Sequence, residues 1–463
     1  MVNLLLFFSL FFFFLIPASD PDLGWYLRCG QDFWRVGSWC VQNQYSIFLA
    51  GYVWPNLYWL YQAILYWIFR LFSLWGLTFT NALLMSLSFF FFYQSIKNFA
   101  LGKLLAIFVI IYFSWGVFSF GLRSQLMGFF FFNLILWLNS CVEENPKKAF
   151  WYLPIMFFWS QMHGSTILGL ILIFTNLLFL AFKNPKKRFF FGLIFLFSFL
   201  ITLVNPFGWQ IYSEGWRHVF GLSLDKTIAE WVPPNPQVWW LIVVSFIGLF
   251  SFSLFKPKTK HNLLLVLSLI PITYLSLKAR RYVPFYFSLG FYLFFLNYQF
   301  KKNLHLPGLT FLILIIFLCG SLVLRLPKTI LTNSSWSNWY QGSSVKYPEK
   351  AVEFLRKQPV KGNIFNTYEW GGFLIWQLPE FKVFVDGRMP SWSTPNGIDP
   401  YTTYLLTLQT QGSWQRTLED YQINWLLIGP GTFMDLKLSP DPEKYGWKEV
   451  YRDKSSVIYQ KNI

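Results

Sequence analysis

Charge is what this 463-residue chain has least of. Asp, Glu, Lys and Arg make up 13% of it, where an average soluble domain carries roughly a quarter. The shortage falls on the acids, 21 against 38 basic residues, leaving a net charge of +17. So little charge beside 55% hydrophobic residues excludes a soluble globular enzyme and a disordered chain. Cysteine is scarce as well, with four in all, which excludes a disulfide scaffold. There is no Cys/His spacing suited to zinc, no Walker loop and no dinucleotide glycine motif. Cytosolic nucleotide chemistry therefore has no visible home. Internal repeats are absent too.

What is abundant is apolar and aromatic. Phe, Trp and Tyr supply 22% of the residues, and Phe alone occurs 56 times. Many windows hold the ~20 apolar residues that span a bilayer. Spans are expected over 1–17, 75–96, 100–118, 125–142, 149–162, 164–182, 189–204, 238–255, 262–277, 282–298 and 308–324, eleven in all. Met1–Pro17 lacks the charged start of a signal peptide and reads as an uncleaved first helix. Trp54–Leu74 is apolar but rich in Trp and Tyr and carries Arg70. It is expected to lie flat on, or re-enter, the outer leaflet.

The location of the basic residues supports this. Residues 326–463 hold 15 Lys+Arg against 13 Asp+Glu, whereas residues 1–325 hold 23 against 8. The excess thus sits in the apolar part, not on a basic soluble domain, and nucleic acid is not an expected partner. With the N-terminus cytoplasmic, the inner turns near 97–103, 143–148, 183–188, 256–260 and 301–302 hold 12 Lys and 1 Arg. This is the positive-inside bias. The outer segments of the membrane part hold 8 Arg and only 2 Lys. Counting Trp54–Leu74 as a span would reverse every later loop.

The expected fold class is mainly α: a polytopic transmembrane helical bundle of about 11 spans, with a C-terminal extracytoplasmic α/β domain. The expected division is 1–325, with external loops 18–74 and 205–237, and 326–463. In the tail, helices are expected at 348–358, 370–378 and 413–421. Strands are expected at 363–366, 382–385 and 425–428, with a terminal hairpin over 447–453 and 456–460.

Arg on the outer side runs against the topology rule, so it needs another cause. Guanidinium is permanently charged and grips phosphate bidentately. Arg28, Arg123, Arg217, Arg280 and Arg281 are therefore candidates to face a phosphate-bearing lipid. Snorkelling to headgroups is the plain alternative for any one of them. The acids Asp20, Asp22, Asp32, Glu214, Asp225 and Glu230 fall on the same side, with His163 and His218. Asp20-Pro21-Asp22, at the edge of the first span, can bind a divalent metal or serve as a base. A polar stop after the helix is the bland alternative. Gln161-Met162-His163-Gly164 breaks a long apolar stretch. Asn205-Pro206-Phe207-Gly208 opens a long loop that continues through Glu214, Arg217, His218 and Glu230-Trp231-Val232-Pro233-Pro234. Lys278-Ala279-Arg280-Arg281 places three cations at a helix edge. Cys29 and Cys40 share one external loop and can pair in an oxidising compartment.

Taken together these motifs resemble the GT-C class of membrane glycosyltransferases, within it a prokaryotic group. That group carries D-x-D-x-W-W-H-L-x-x-G after the first helix, an N-L-H-G-type turn, and an N-P-x-G loop with a following E-W-x-P-P. It also carries an A-R-R-N-x-P span start and a tail with N-x-Y-E-W-G-G-Y-L and D-G-R. Here the matching segments are Asp20–Gly30, Gln161–Gly164, Asn205–Gly208, Glu230–Pro234, Ala279–Pro284, Asn366–Leu374 and Asp386–Arg388. The chain departs from the pattern at Gly24 and Tyr26, where the group has Trp and His, and at Gln161-Met162, where it has Asn-Leu.

The resemblance implies an integral enzyme of the prokaryotic plasma membrane that moves a sugar from a polyprenyl-phosphate donor, with inversion. The acceptor would be an extracytoplasmic glycan, lipid or protein. Asp20 or Asp22 would activate the acceptor, or hold Mg²⁺ or Mn²⁺. Arg28, Arg123, His163, Lys278, Arg280 and Arg281 would meet the donor phosphate. Asn205, Glu214, Arg217, His218 and Glu230 would serve from the external loop. A lipid or polysaccharide transporter, or a non-catalytic scaffold, is the alternative. A transporter would show paired repeats and midplane charges, and neither is present in the sequence.

Overall fold

The computed structural model describes residues 1–96, 100–255, 266–297, 307–343, 345–359, 362–392 and 399–462. The expected Lys-rich turns at 97–99, 256–260 and 301–302, and the start of the span at 262–277, lie outside these. The chain forms two compact units. One comprises Met1–Ala18 and Trp75–Ile330, the other Ser19–Leu74 and Leu331–Ile463. The division is thus not a single cut at 325/326. Ser19–Leu74, nearly all of the segment expected as the first external loop, belongs to the tail unit.

The first unit is helical throughout. Helices at Val2–Phe13, Ala100–Phe118, Ser124–Glu144, Tyr152–Met162, Thr166–Lys183, Arg188–Leu200, Pro236–Phe255, Leu269–Lys278 and Val283–Asn297 each answer to an expected span. The span expected at 75–96 is the second half of a longer helix, Trp59–Ser95, which breaks at Ser73 (φ 54°, ψ −147°). The last span is the first part of Pro307–Asn333. Among the described residues six helices are long and apolar enough to cross a membrane, while Val2–Phe13 and Leu269–Lys278 are shorter apolar helices.

The core of this unit is built from phenyl rings. Phe14, Phe89, Phe118 and Phe129 are all buried, with neighbouring ring centroids 5.2–6.1 Å apart, mostly edge to face. Such pairs add to the attraction that burial alone provides. Several polar groups inside are partnered. Asn81 Nδ2 donates to the Phe14 carbonyl at 2.8 Å and Thr329 Oγ1 to that of Leu15 at 2.6 Å. Both satisfy carbonyls left open where the first helix ends. Tyr152, Asn139 and Asn176 form a buried chain of 2.6 and 3.1 Å bonds.

The second unit is a mixed sheet flanked by short helices. Its strands are β1 (Asn363–Asn366), β2 (Lys382–Val383), β3 (Ile423–Ile428), β4 (Trp447–Arg452) and β5 (Val457–Lys461), in the order β2-β1-β3-β5-β4. β1 runs parallel to β2 and β3, and β5 antiparallel to β3 and β4. β3 is apolar at nearly every position and central, as a strand covered on both faces must be. The helix Gly371–Gln377 makes the crossover from β1 to β2. The first loop adds to the outer edge. Ser46 bridges Val383, and Ile47 N donates to the Val383 carbonyl at 2.9 Å. Helices at Pro400–Leu408, Phe433–Leu438 and Trp336–Gly342 were not expected. Nor was Leu23–Val36, which falls inside the expected external loop 18–74.

Candidate active site

Asp20 and Asp22 stand at the start of the Leu23–Val36 helix in the second unit. Asp20 is 2% exposed, and its Oδ1 accepts the backbone amide of Asp22 at 3.2 Å. The helix packs backbone to backbone on Gly371–Gln377, and glycines permit it. A Cβ on Gly24 would lie 2.0 Å from the Gly372 carbonyl oxygen, and one on Gly372 2.5 Å from that of Pro21. Gly24, read as a departure from the family pattern, is therefore the residue that lets these helices meet. A Cβ on Gly371 would come 2.3 Å from the Val385 carbonyl oxygen, and one on Gly387 1.9 Å from Asp22 Oδ1. Three motifs far apart in sequence, Asp20–Gly24, Asn366–Gly372 and Asp386–Arg388, are thus one structure.

This structure lies beyond the carboxyl ends of β1 and β2, where parallel α/β sheets characteristically place their sites. At the end of β1, Asn366 Oδ1 accepts the Phe384 and Val385 amides at 2.9 and 3.3 Å, and its Nδ2 donates to the Val385 carbonyl at 2.9 Å. Asp386 is fully buried, and Arg388 grips it with two bonds of 2.7 Å. The guanidinium also donates to Asn43 Oδ1 at 3.3 Å and lies over Tyr45 and Trp392, 5.3 and 5.1 Å from their ring centres. The Asp386-Gly387-Arg388 turn is fixed from both sides, and Asp22 is packed on its glycine. Two tyrosines that sequence reasoning missed complete the surroundings. Burial, then the charges of Asp20 and Asp22, push the Tyr347 phenol up. Burial, then Asp22, do the same for Tyr368. Both stay protonated and offer hydrogen-bond donors. Tyr368 lay in a motif already singled out; Tyr347 had no spacing signal.

A second constellation lies in the first unit. Glu230 accepts Arg123 Nη1 at 2.7 Å and Arg281 Nη1 at 3.1 Å, one carboxylate holding two guanidiniums. Arg281 covers Trp231 at 4.8 Å from the ring centre, and its carbonyl receives Gln125 Nε2 at 2.9 Å. Arg280 N donates to the Val232 carbonyl at 2.9 Å. Leu224, Trp231 and Ala279 form the small core that joins the two segments. His163 lies in the field of all three charges. Burial, then Arg281, hold its imidazole down at about 3, so it is neutral. Its Nδ1 accepts the Ser165 amide at 3.1 Å and contacts Ser165 Oγ at 2.7 Å. The proton then resides on Nε2. His163 therefore brings a hydrogen-bond donor, not the positive charge expected of a phosphate ligand. Arg123 and Arg281 are not bare cations either, since Glu230 leaves the triad one net positive charge.

The remaining candidates are placed as follows. Arg28 belongs to the second unit, pairs with Asp32 at 3.7 Å and donates to Gln31 at 3.1 Å. Lys278 Nζ donates to the Val219 carbonyl. Arg280 Nε is buried with no hydrogen-bond partner among the described residues. Glu214 takes Arg217 at 2.7 Å, and its backbone carbonyl meets His218 Nδ1 at 2.8 Å. Asn205 organises its own turn: Oδ1 accepts the Phe207 amide at 2.8 Å, and Nδ2 donates to the Thr202 carbonyl at 2.6 Å. Gln161 Nε2 ties the neighbouring motif to it through the Val204 carbonyl at 2.7 Å. Cys29 and Cys40 are joined as a disulfide.

For a metal, the hard oxygens of Asp20 and Asp22 suit Mg²⁺ or Mn²⁺, ions that take one or two carboxylates and fill their shell with water and phosphate. Among the described residues no group of three or more His, Cys, Asp or Glu could hold a metal ion.

Comparison with known proteins gives no matching family model and no matching curated protein. Solved structures do match. The archaeal oligosaccharyltransferase AglB from Archaeoglobus fulgidus, solved with an inhibitory peptide and a dolichol-phosphate, aligns with a TM-score of 0.57. The identity is 10%, over 99% of this chain and 74% of that one. Its apo form gives 0.60, also at 10%, over 100% and 74%. ArnT from Cupriavidus metallidurans bound to undecaprenyl phosphate gives 0.52 at 13%, over 99% and 96%. At such identities the likeness is one of fold. This chain has the fold of the GT-C membrane glycosyltransferases, the class of both AglB and ArnT.

Proposed function

We propose that this protein is an integral membrane glycosyltransferase. It would move a sugar from a polyprenyl-phosphate donor to an extracytoplasmic acceptor, with inversion at the anomeric carbon. One observation carries this reading: Asp22, in a first-loop acidic pair of a GT-C fold, is packed against Gly387 of a rigid turn. A base held in one position needs no reorganisation during the reaction.

In the reaction the acceptor hydroxyl loses its proton to Asp22, or to Asp20, as its oxygen bonds to the anomeric carbon. The bond from that carbon to the donor phosphate breaks, and the phosphate oxygen leaves with the electron pair. Charge grows on the leaving phosphate, so fixed cations lower the barrier. Arg280, Arg281 and Arg123 are assigned to this role, with the neutral His163 as a donor. Arg280 carries most of it, because Glu230 occupies the other two. A Mg²⁺ or Mn²⁺ on Asp20 and Asp22 would lower the pKa of the acceptor hydroxyl.

The test is a panel of radiolabelled polyprenyl-phosphate sugars offered to the purified protein in nanodiscs, with Mn²⁺, Mg²⁺ or EDTA. Transfer or hydrolysis of label from at least one donor is the expected result. No turnover of any donor contradicts the proposal.

A further inference from the structure

The second unit contains a cavity of about 280 Å³ that the proposed reaction has not used. Five of its lining residues are aromatic: Phe69, Trp336, Tyr340, Phe373 and Trp376. Phe69 lies 5.6 Å from Trp336 and 5.7 Å from Trp376, and Trp336 stacks on Tyr340 at 5.5 Å. Each of these four rings is thus braced by another. Four more are polar: Glu349, Glu353, Arg356 and Gln377. Glu349 accepts Ser337 Oγ at 3.0 Å. Arg356 Nη2 donates to Gln377 Oε1 at 2.6 Å, and Gln377 Nε2 donates to the Tyr340 hydroxyl. Glu353 lines the same cavity.

Aromatic rings together with fixed carboxylate, amide and guanidinium groups in one cavity match a sugar ring. A pyranose offers apolar C–H faces to the rings and a girdle of hydroxyls that donate and accept at its edge. The charge of the lining decides between the two sugars of the reaction. Glu349 and Glu353 against Arg356 leave one net negative charge, which repels a donor phosphate. A second, narrower cavity shares Trp336, Tyr340 and Trp376 with the first and reaches Asp20. Shared aromatic residues thus connect the first cavity with one that reaches an acceptor-activating carboxylate.

We propose that this cavity binds a sugar ring of the acceptor, so that the acceptor is a saccharide. The assignment of its source rests on the transferase reading; the binding itself does not.

The experiment uses the full chain in nanodiscs and a probe set of neutral methyl glycosides and short oligosaccharides of glucose, galactose, mannose and N-acetylglucosamine. Binding is read by tryptophan fluorescence and by saturation-transfer NMR. At least one probe is expected to bind. Trp376→Ala should weaken it roughly tenfold, as loss of a stacked aromatic does, and Trp376→Phe should restore much of it. Glu349→Gln, which keeps the shape of the side chain, should weaken it without lowering Tm. No binding by any probe, or equal binding in Trp376→Ala and Glu349→Gln, overturns the proposal. Competitive displacement by a polyprenyl-phosphate sugar would give the cavity to the donor and overturn it too. So would a lysine-rich peptide that binds there in place of saccharides. If saccharides bind, and the variants lose them while no donor is ever turned over, the saccharide site stands and the transferase reading fails. Transfer with an unchanged acceptor KM in both variants would remove the cavity and leave the transferase reading intact.

Discussion

A single methyl group separates two kinds of glycine in this protein. On Gly24 it would meet the Gly372 carbonyl oxygen at 2.0 Å, backbone against backbone. Neither helix can yield without separating, so Gly24→Ala should cost about 1–3 kcal/mol, the usual range for overpacking. It should lower Tm, whereas Gly192→Ala, whose new Cβ would meet no atom of the described residues within 4 Å beyond its own helical turn, should leave Tm unchanged or slightly raised. On Gly387 the methyl would meet only the end of a side chain, Asp22 Oδ1 at 1.9 Å. Gly387→Ala should therefore move the carboxylate more than the fold. The expectation is a fall in turnover with Tm nearly unchanged. Equal Tm losses in Gly24→Ala and Gly387→Ala would mean that the Gly387 contact holds the fold and not the base.

At the scale of elements, the turn after β2 is secured by a buried ion pair. Asp386 and Arg388 have side chains 0% and 1% exposed. Removing one partner of such a pair strands the other charge, at about 3–5 kcal/mol. Arg388→Met should lower the denaturation midpoint of the tail unit by a corresponding amount, and Asp386→Asn with Arg388→Met should recover part of it. No change in the single variant would contradict the buried pair. Much of this level was legible in the sequence. The apolar runs gave the helices of the first unit, and β1 was expected over its observed range because a short apolar run bounded by turn residues suits a buried strand. Leu23–Val36 was not seen, although Leu23, Tyr26, Leu27 and Gly30 recur at helical spacing on its buried side. The acids and cations around them hid that period. Pairings such as Glu230 with Arg123 and Arg281 were out of reach for another reason. They join residues 107 and 51 positions apart, and only packing decides which outer Arg meets which outer acid.

At the scale of the whole molecule, the chain separates a helical unit from one that includes both Ser19–Leu74 and the tail. The Lys/Arg asymmetry of the turns leads us to propose a cytoplasmic N-terminus, and with it an extracytoplasmic second unit. Cysteines introduced at Ser38 and Gly342, one in each segment of that unit, should react with an impermeant thiol reagent on intact cells. The native Cys29 and Cys40 are replaced first. Labelling of both only after lysis would reverse the orientation.

The central claim is that Asp22 acts as the base of a sugar transfer. Its most direct test is the turnover of the best polyprenyl-phosphate donor by wild type and by Asp22→Asn, with protein abundance and Tm measured alongside. The amide keeps the shape of the side chain and removes its basicity. The account predicts a loss of about 10²–10⁴-fold at unchanged abundance and Tm. Equal turnover in the two proteins would contradict it.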